Sequence, residues 1–169
     1  MKTKVIRYHG SNPSPFLVAQ TSKLQNIVEC NRASPPLAID IGCGNGRNSE
    51  FLKKLGFNVM PYDMHPDYGH EINLEHQHPP HLREASVILL QYVLMFLSGQ
   101  ARKNLFWQCL TTDRRSAMIV VELMDVKHGN LHGKELISVL DFMEDQGELN
   151  NFIACRTSRR LLLIKSSQV

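Results

Sequence analysis

The stretch Leu37-Ala38-Ile39-Asp40-Ile41-Gly42-Cys43-Gly44-Asn45-Gly46 constrains this chain more than any other. A short apolar run ends in an acid and meets three glycines spaced G-x-G-x-G. That pattern is a strand entering a tight turn that opens a helix. Glycine is needed where the backbone takes positive φ or lies close against a ligand. A helix N-terminus behind the turn offers unpaired N–H groups and the positive end of a dipole. The acid narrows the ligand: a carboxylate there repels a pyrophosphate and suits an ammonium group.

The rest of the chain alternates between the two periods. Apolar residues at Leu17, Leu24, Ile27 and Val28 predict a helix over Phe16 to Cys30. Pro35-Pro36 stops it before the strand Leu37 to Ile41. The helix of the glycine turn runs on through Ser49 to Leu55 and is capped by Gly56. Phe57 to Tyr62 and Glu71 to Leu74 are the second and third strands, and Ala85 to Leu90 is a buried fourth. Ser98 is the N-cap of a helix to Leu110. Ala117 to Leu123 is the fifth strand, and Gly133 to Gln146 an amphipathic helix ended by Gly147. Phe152 to Arg156 and Leu161 to Lys165, joined by Thr157 to Arg160, read as a hairpin. This order argues for a three-layer α/β sandwich with a mostly parallel sheet and an antiparallel terminal hairpin. Ligands of such sheets bind at the carboxyl ends of the strands, where Asp63, Gln91 and Glu122 also fall.

At 169 residues one domain, 1–169, is expected, with residues 1–15 as a flexible arm. The net charge of +3 is no strong footprint for nucleic acid; Arg114-Arg115 and Arg156 with Arg159-Arg160 are the tight basic groups. The four cysteines are scattered without a C-x-x-C pair, which argues against a zinc site and for reduced thiols and a cytoplasmic protein. The first twelve residues lack the apolar run of a signal peptide, and Val87 to Leu97 is too short to span a bilayer, so no membrane is expected. His76, His78 and His81 cluster around Pro79-Pro80 and read as a polar loop, with no metal site.

Asp63 ends the second strand, 23 positions after Asp40 (63 − 40). An acid at about this distance from a glycine turn grips ribose hydroxyls, because a carboxylate accepts from both. Strand, acid, glycine turn, helix and second acid together suit S-adenosylmethionine (SAM), which carries an amino acid, a sulfonium and a ribose. Met64 is placed to pack on an adenine, and the Asn73 side chain and Leu74 N–H to read its edge. Here the chain resembles the class I SAM-dependent methyltransferases, from about Phe16 to Lys165. Asp40-x-Gly42-x-Gly44-x-Gly46 matches their first motif and Asp63 their ribose-binding acid. The resemblance implies a Rossmann-like fold. It also implies that Asp40 orients the turn and the ligand's ammonium end, while Gly42 and Gly44 pack against the ligand. Gly42-Cys43-Gly44-Asn45-Gly46-Arg47-Asn48-Ser49 and Val93-Leu94-Met95-Phe96-Leu97 are similar to the tellurite-resistance-type methyltransferases. One departure stands out: Met64 to His70 is too short for the helix that the family carries after the second strand.

The donor-binding candidates are therefore Asp40, Gly42, Cys43, Gly44, Asn45, Gly46, Asn48, Asp63, Met64, Asn73, Leu74 and Gln91. Cys43 is read as a small residue filling the turn. Gln91 and Tyr92 stand where such enzymes contact the acceptor. Glu122, Asp125, His128 and His132 are candidate general bases, and Tyr8 and His9 could fold over the site. Leu90-Gln91-Tyr92-Val93 has neither the proline pair of base amino methylation nor the Pro-Cys of cytosine C5 methylation. Direct in-line transfer to a small molecule is the leading reading. The alternatives are a nucleic-acid or protein methyltransferase working with a partner, a SAM-binding module without transfer, and a SAM-consuming lyase.

Overall fold

The structure, a computed structural model, describes residues 10–114, 116–123 and 133–165, with side chains of the last stretch described from Ser138. Seven strands form one sheet in the order β3-β2-β1-β4-β5-β7-β6. They are β1 (Leu37–Ile41), β2 (Asn58–Asp63), β3 (His70–Glu71), β4 (Val87–Gln91), β5 (Ala117–Glu122), β6 (Phe152–Thr157) and β7 (Arg160–Lys165). The first five pair in parallel; β7 runs antiparallel to β5 and to β6. The helices are α1 (Pro15–Val18), α2 (Thr21–Cys30), α3 (Arg47–Leu55), α4 (Gly99–Leu110) and α5 (Gly133–Leu149).

The strands alternate between two cores, which makes the three layers. Ala38, Val87, Leu89, Met118, Val120 and Leu162 face Leu17, Leu24, Ile27 and Leu52 of the first three helices. Ile39, Ile41, Ile88, Leu90, Ile119, Val121 and Leu163 face Leu105, Phe106, Leu140 and Met143 of α4 and α5. By the same period of two, Asp40, Gln91 and Glu122 point to the α3 side at the carboxyl ends of their strands. Because β2 and β4 flank β1, the chain reverses direction across the sheet there, the place where such folds open a ligand crevice.

Four expectations need correction. The helix expected over Phe16 to Cys30 is two helices, broken at Ala19-Gln20 where the Gln20 N–H reaches Leu17 O in a tighter turn. The third strand stops at Glu71 rather than continuing to Leu74. The Asn73 side chain accepts the Glu75 N–H and its carbonyl accepts from His76 and Gln77, turning the chain away. Gly147 does not end the last helix but lies inside it. A Cβ there would come within 2.7 Å of Leu163 Cδ2, so the glycine lets α5 lie close on β7; left-handed Asn151, with φ 64°, follows the true end. Finally, residues 10–14, expected as arm, end in Ser14, which is fully buried and caps α1 ahead of Pro15. The helix missing after β2 is indeed replaced by a turn. Among the described residues no helix is long and apolar enough to cross a membrane.

Candidate functional site

The glycine turn hangs from the neighbouring strand. Gly42 and Cys43 both donate their N–H to Tyr62 O, at 2.8 and 3.0 Å. Gly42, Gly44 and Gly46 have φ of 73°, 51° and 76°, values that a side chain at Cβ disfavours. Gly46 is the N-cap of α3. A Cβ built on Gly44 or Gly46 meets nothing within 4 Å, so the turn presents bare backbone to open space. On its inner side a Cβ at Gly42 would lie 3.0 Å from Val93 Cβ, which ties the turn to the segment after β4.

Asp63 clamps this turn from β2. Its Oδ2 accepts the Gly44 N–H at 2.9 Å and its Oδ1 the His65 N–H at 3.0 Å. Each oxygen has a second lone pair, so the carboxylate still has capacity for ligand hydroxyls. Asp40 is different. It is 1% exposed, and its Oδ2 takes the Ser49 hydroxyl at 2.6 Å. Burial pushes its carboxyl up to about 6; the hydrogen bonds from Ser49 pull the other way, and the nearby Asp63 charge adds to the rise. Asp40 therefore braces β1 against α3, holding the turn open from behind.

Four buried polar side chains close a ring beside the turn. Ser14 N–H donates to Asn48 Oδ1 at 2.9 Å, Asn48 Nδ2 to Gln91 Oε1 at 2.8 Å, and Gln91 Nε2 to Glu122 Oε2 at 2.9 Å. The Ser14 hydroxyl donates to the same Glu122 oxygen at 2.5 Å. Arg160 Nε holds the other Glu122 oxygen at 2.9 Å. A carboxylate that is 3% exposed and receives three donors is an anchor, which counts against the general-base role expected for Glu122. Tyr92 follows at φ 60°, an uncommon value for an aromatic residue, held by its N–H on Glu122 O at 2.7 Å.

The turn after β2 packs straight onto the glycine turn. Cys43 Sγ donates to Tyr68 O at 3.3 Å, and burial pushes its thiol up to about 12, so it fills space as an unreactive group. Asn45 is exposed at the tip, where its Nδ2 donates to Gly10 O at 2.9 Å. Met64 is 69% exposed, on the solvent side beside Asp63. Asn73 spends its side-chain oxygen on its own turn, and Leu74 is buried in the core. His65 was missed from the sequence: its N–H completes Asp63, and its Nε2 is buried without a partner. Ser14 was missed too, although a Ser-Pro pair before an apolar run is a helix-start signal. Tyr8, His9, Asp125, His128 and His132 lie outside the described residues.

Away from the crevice, Arg156 pairs with Asp141 and Glu144. Arg160 is likewise engaged within the protein, on Glu122. A cavity of about 330 Å³ lies between α4 and α5, floored by Phe106, Phe142 and Met143. Among the described residues no group of three or more His, Cys, Asp or Glu side chains could hold a metal ion.

Known proteins resemble the chain in sequence and in fold. The family described as tellurite resistance protein TehB matches residues 17–128. No curated protein matches the chain in sequence. Among solved structures, the chain is similar to the plantazolicin methyltransferase BpumL in complex with SAH (S-adenosylhomocysteine), at 14% identity and a TM-score of 0.61, over 89% of this chain and 83% of that one. A TehB-like SAM-dependent methyltransferase from Corynebacterium glutamicum is 16% identical with a TM-score of 0.55, covering 85% and 86%. A 1,6-didemethyltoxoflavin-N1-methyltransferase from Burkholderia thailandensis, solved with 1,6-didemethyltoxoflavin and S-adenosylhomocysteine, is 14% identical with a TM-score of 0.50, covering 88% and 79%.

Proposed function

The chain belongs to the tellurite resistance protein TehB family and is a class I SAM-dependent methyltransferase; from that premise we propose that it methylates a small-molecule acceptor by direct in-line transfer. The observation that carries this reading is the glycine turn: bare on its outer face, and clamped through Gly44 N–H by a carboxylate with capacity to spare. The residues present fit the methyl donor. Asp63 would hold the ribose hydroxyls, the backbone of Gly42 to Gly46 would lie along the amino-acid end, and Asp40 keeps that backbone in place. Bound SAM supplies a methyl carbon already activated by the sulfonium, which leaves as a thioether.

The protein's part is then alignment and exclusion of water, worth more here than acid–base help. Tyr92 supports this role. Its left-handed backbone costs of the order of 1 kcal/mol, and it sits between the buried amide of Gln91 and Val93, which backs the glycine turn. That is where an acceptor's lone pair would meet the methyl group. Glu122, fully engaged by three donors, leaves proton removal to water or to the acceptor itself, which suits an acceptor nucleophilic as a neutral or already ionised group. The small-molecule class is supported by the molecules bound in similar structures, 1,6-didemethyltoxoflavin and a pentazolic desmethylPZN analog.

Incubation with methyl-labelled SAM against pools of metabolites, DNA, RNA and protein tests the acceptor class. Label in the metabolite pool alone is expected. Label confined to nucleic acid or protein overturns the small-molecule reading. Consumption of SAM without transfer of label to any acceptor points to the lyase instead.

A further inference from the structure

The buried ring has a direction, set by the Glu122 carboxylate as acceptor at one end and the Ser14 N–H as donor at the other, and Ser14 closes it. The Ser14 hydroxyl accepts the N–H groups of Phe16 and Leu17, at 3.2 and 3.5 Å, as the cap of α1. A hydroxyl has one proton to give, and here it goes to Glu122 Oε2. Glu122 as acceptor turns the Gln91 amide so that its oxygen faces Asn48, and the Asn48 amide so that its oxygen faces the Ser14 N–H. The ring thus begins and ends on one residue, with each amide orientation set by its neighbour. Exposure of the four side chains runs from 0% at Ser14 to 6% at Asn48. Arg160, lying over the Phe16 ring, balances the buried charge.

The four residues belong to four elements that meet at the crevice: the start of α1, the first turn of α3, and the ends of β4 and β5. The chain before Ser14 is held a second time, where Gly10 O accepts from Asn45 at the tip of the glycine turn. Gly10 to Ser14 is therefore a strap pinned at both ends to the donor site. Each ring amide uses one of its two N–H groups within the ring, so closing the ring also fixes the orientation of the other.

We propose that residues 10–14 form one wall of the methyl-donor site and that Ser14 is the positioning residue that holds it, through Asn48, Gln91 and Glu122. This rests on the donor-site reading above. Ser14→Ala keeps the glycine turn, Asp63 and the backbone bond from residue 14 to Asn48, and opens the ring at the single hydroxyl bond to Glu122. A loss of about 10-fold in affinity for S-adenosylhomocysteine is expected, one buried charged hydrogen bond's worth. KM for SAM should rise in parallel, with kcat changed by less than about twofold. Ser14→Thr retains both the cap and the hydroxyl proton, and should return affinity to within about threefold of wild type.

The test is calorimetry with S-adenosylhomocysteine on wild type and both variants, joined to hydrogen exchange of the wild type with and without that ligand. Slower exchange of residues 10–18 on binding, together with the Ala loss and Thr rescue, is the expected result. A Ser14→Ala protein with lowered Tm but unchanged affinity reduces Ser14 to a helix cap and overturns the proposal. Unchanged exchange in the wild type does the same, even if the Ala variant does not fold. Failure of the wild type to bind at all would instead refute the donor-site reading.

Discussion

The first and second crossovers of the sheet use glycine for opposite purposes. Between β1 and β2 the chain makes the glycine turn and then α3, and the outer glycines face open space. Between β2 and β3 it makes only a short turn, and the glycine there is crowded. A Cβ on Gly69 would lie 2.8 Å from Pro61 O and 3.0 Å from Cys43 Sγ. The first crossover leaves room for a ligand; the second gives up its helix and packs directly on the first. A shortened segment need not loosen a site. Here it seats Tyr68 O on the Cys43 thiol and His65 N–H on Asp63, so the short turn supports the longer one.

Substitutions should separate the two roles. Gly44→Val places a branched side chain at φ 51° and toward the open face. It should weaken S-adenosylhomocysteine binding by at least about 100-fold in calorimetry, while costing only about 1–2 kcal/mol of stability. A loss of stability without loss of binding would show that the bare face is not the ligand's.

Asp40→Asn tests the brace behind that face. With its carboxyl held near 6 rather than 3.8, folded Asp40 keeps a proton that the unfolded chain has already released. Stability therefore falls as pH rises from about 4 to about 6 and stays lower above. The Asn variant removes this loss and can still accept from Ser49. Urea unfolding should show it gaining on wild type by up to about 3 kcal/mol at pH 7.5 and little at pH 4. An equal difference at both pH values would mean that Asp40 is not the titrating group.

Gly69→Ala acts on the second crossover and should reverse the pattern. Crowding against Pro61 O should cost about 2 kcal/mol, or a fall of about 6 °C in thermal melting, with donor affinity changed by about threefold or less. A large affinity loss at unchanged Tm would merge the two roles. The smallest effect concerns Cys43, which sits between the crossovers. Brief alkylation of native protein at pH 7.5 followed by mass analysis should modify exposed Cys30 and Cys155 and spare Cys43 and Cys109, both buried and pushed up by burial. Rapid labelling of Cys43 would show that the turn opens readily.

The parts of this site visible in the sequence are those where one local pattern decides. Leu37 to Ile41 with the three glycines, the buried run of β4 and the hairpin of β6 and β7 are set by their own residues, and they stand within a residue or two of the expected bounds. What escaped depends on distant partners. Gly147 reads as a helix stop because propensity sees no Leu163 across the layer. The end of β3 depends on an Asn73 side chain that turns back on its own backbone. Ser14 looks like part of a loose arm because its partner Glu122 is 108 residues away. Glu122 illustrates the reverse case: the sequence placed it at the crevice, but could not show that three donors already surround it.

The central claim is that Asp63 and the glycine turn together bind the methyl donor. Calorimetric titration of S-adenosylhomocysteine into wild type and Asp63→Ala tests it most directly. The variant loses the partner of Gly44 N–H as well as the ribose contacts, so saturable one-to-one binding by wild type and a loss of about 100-fold or more in the variant are predicted. Equal binding by both proteins, or no binding by wild type at millimolar ligand, would contradict it.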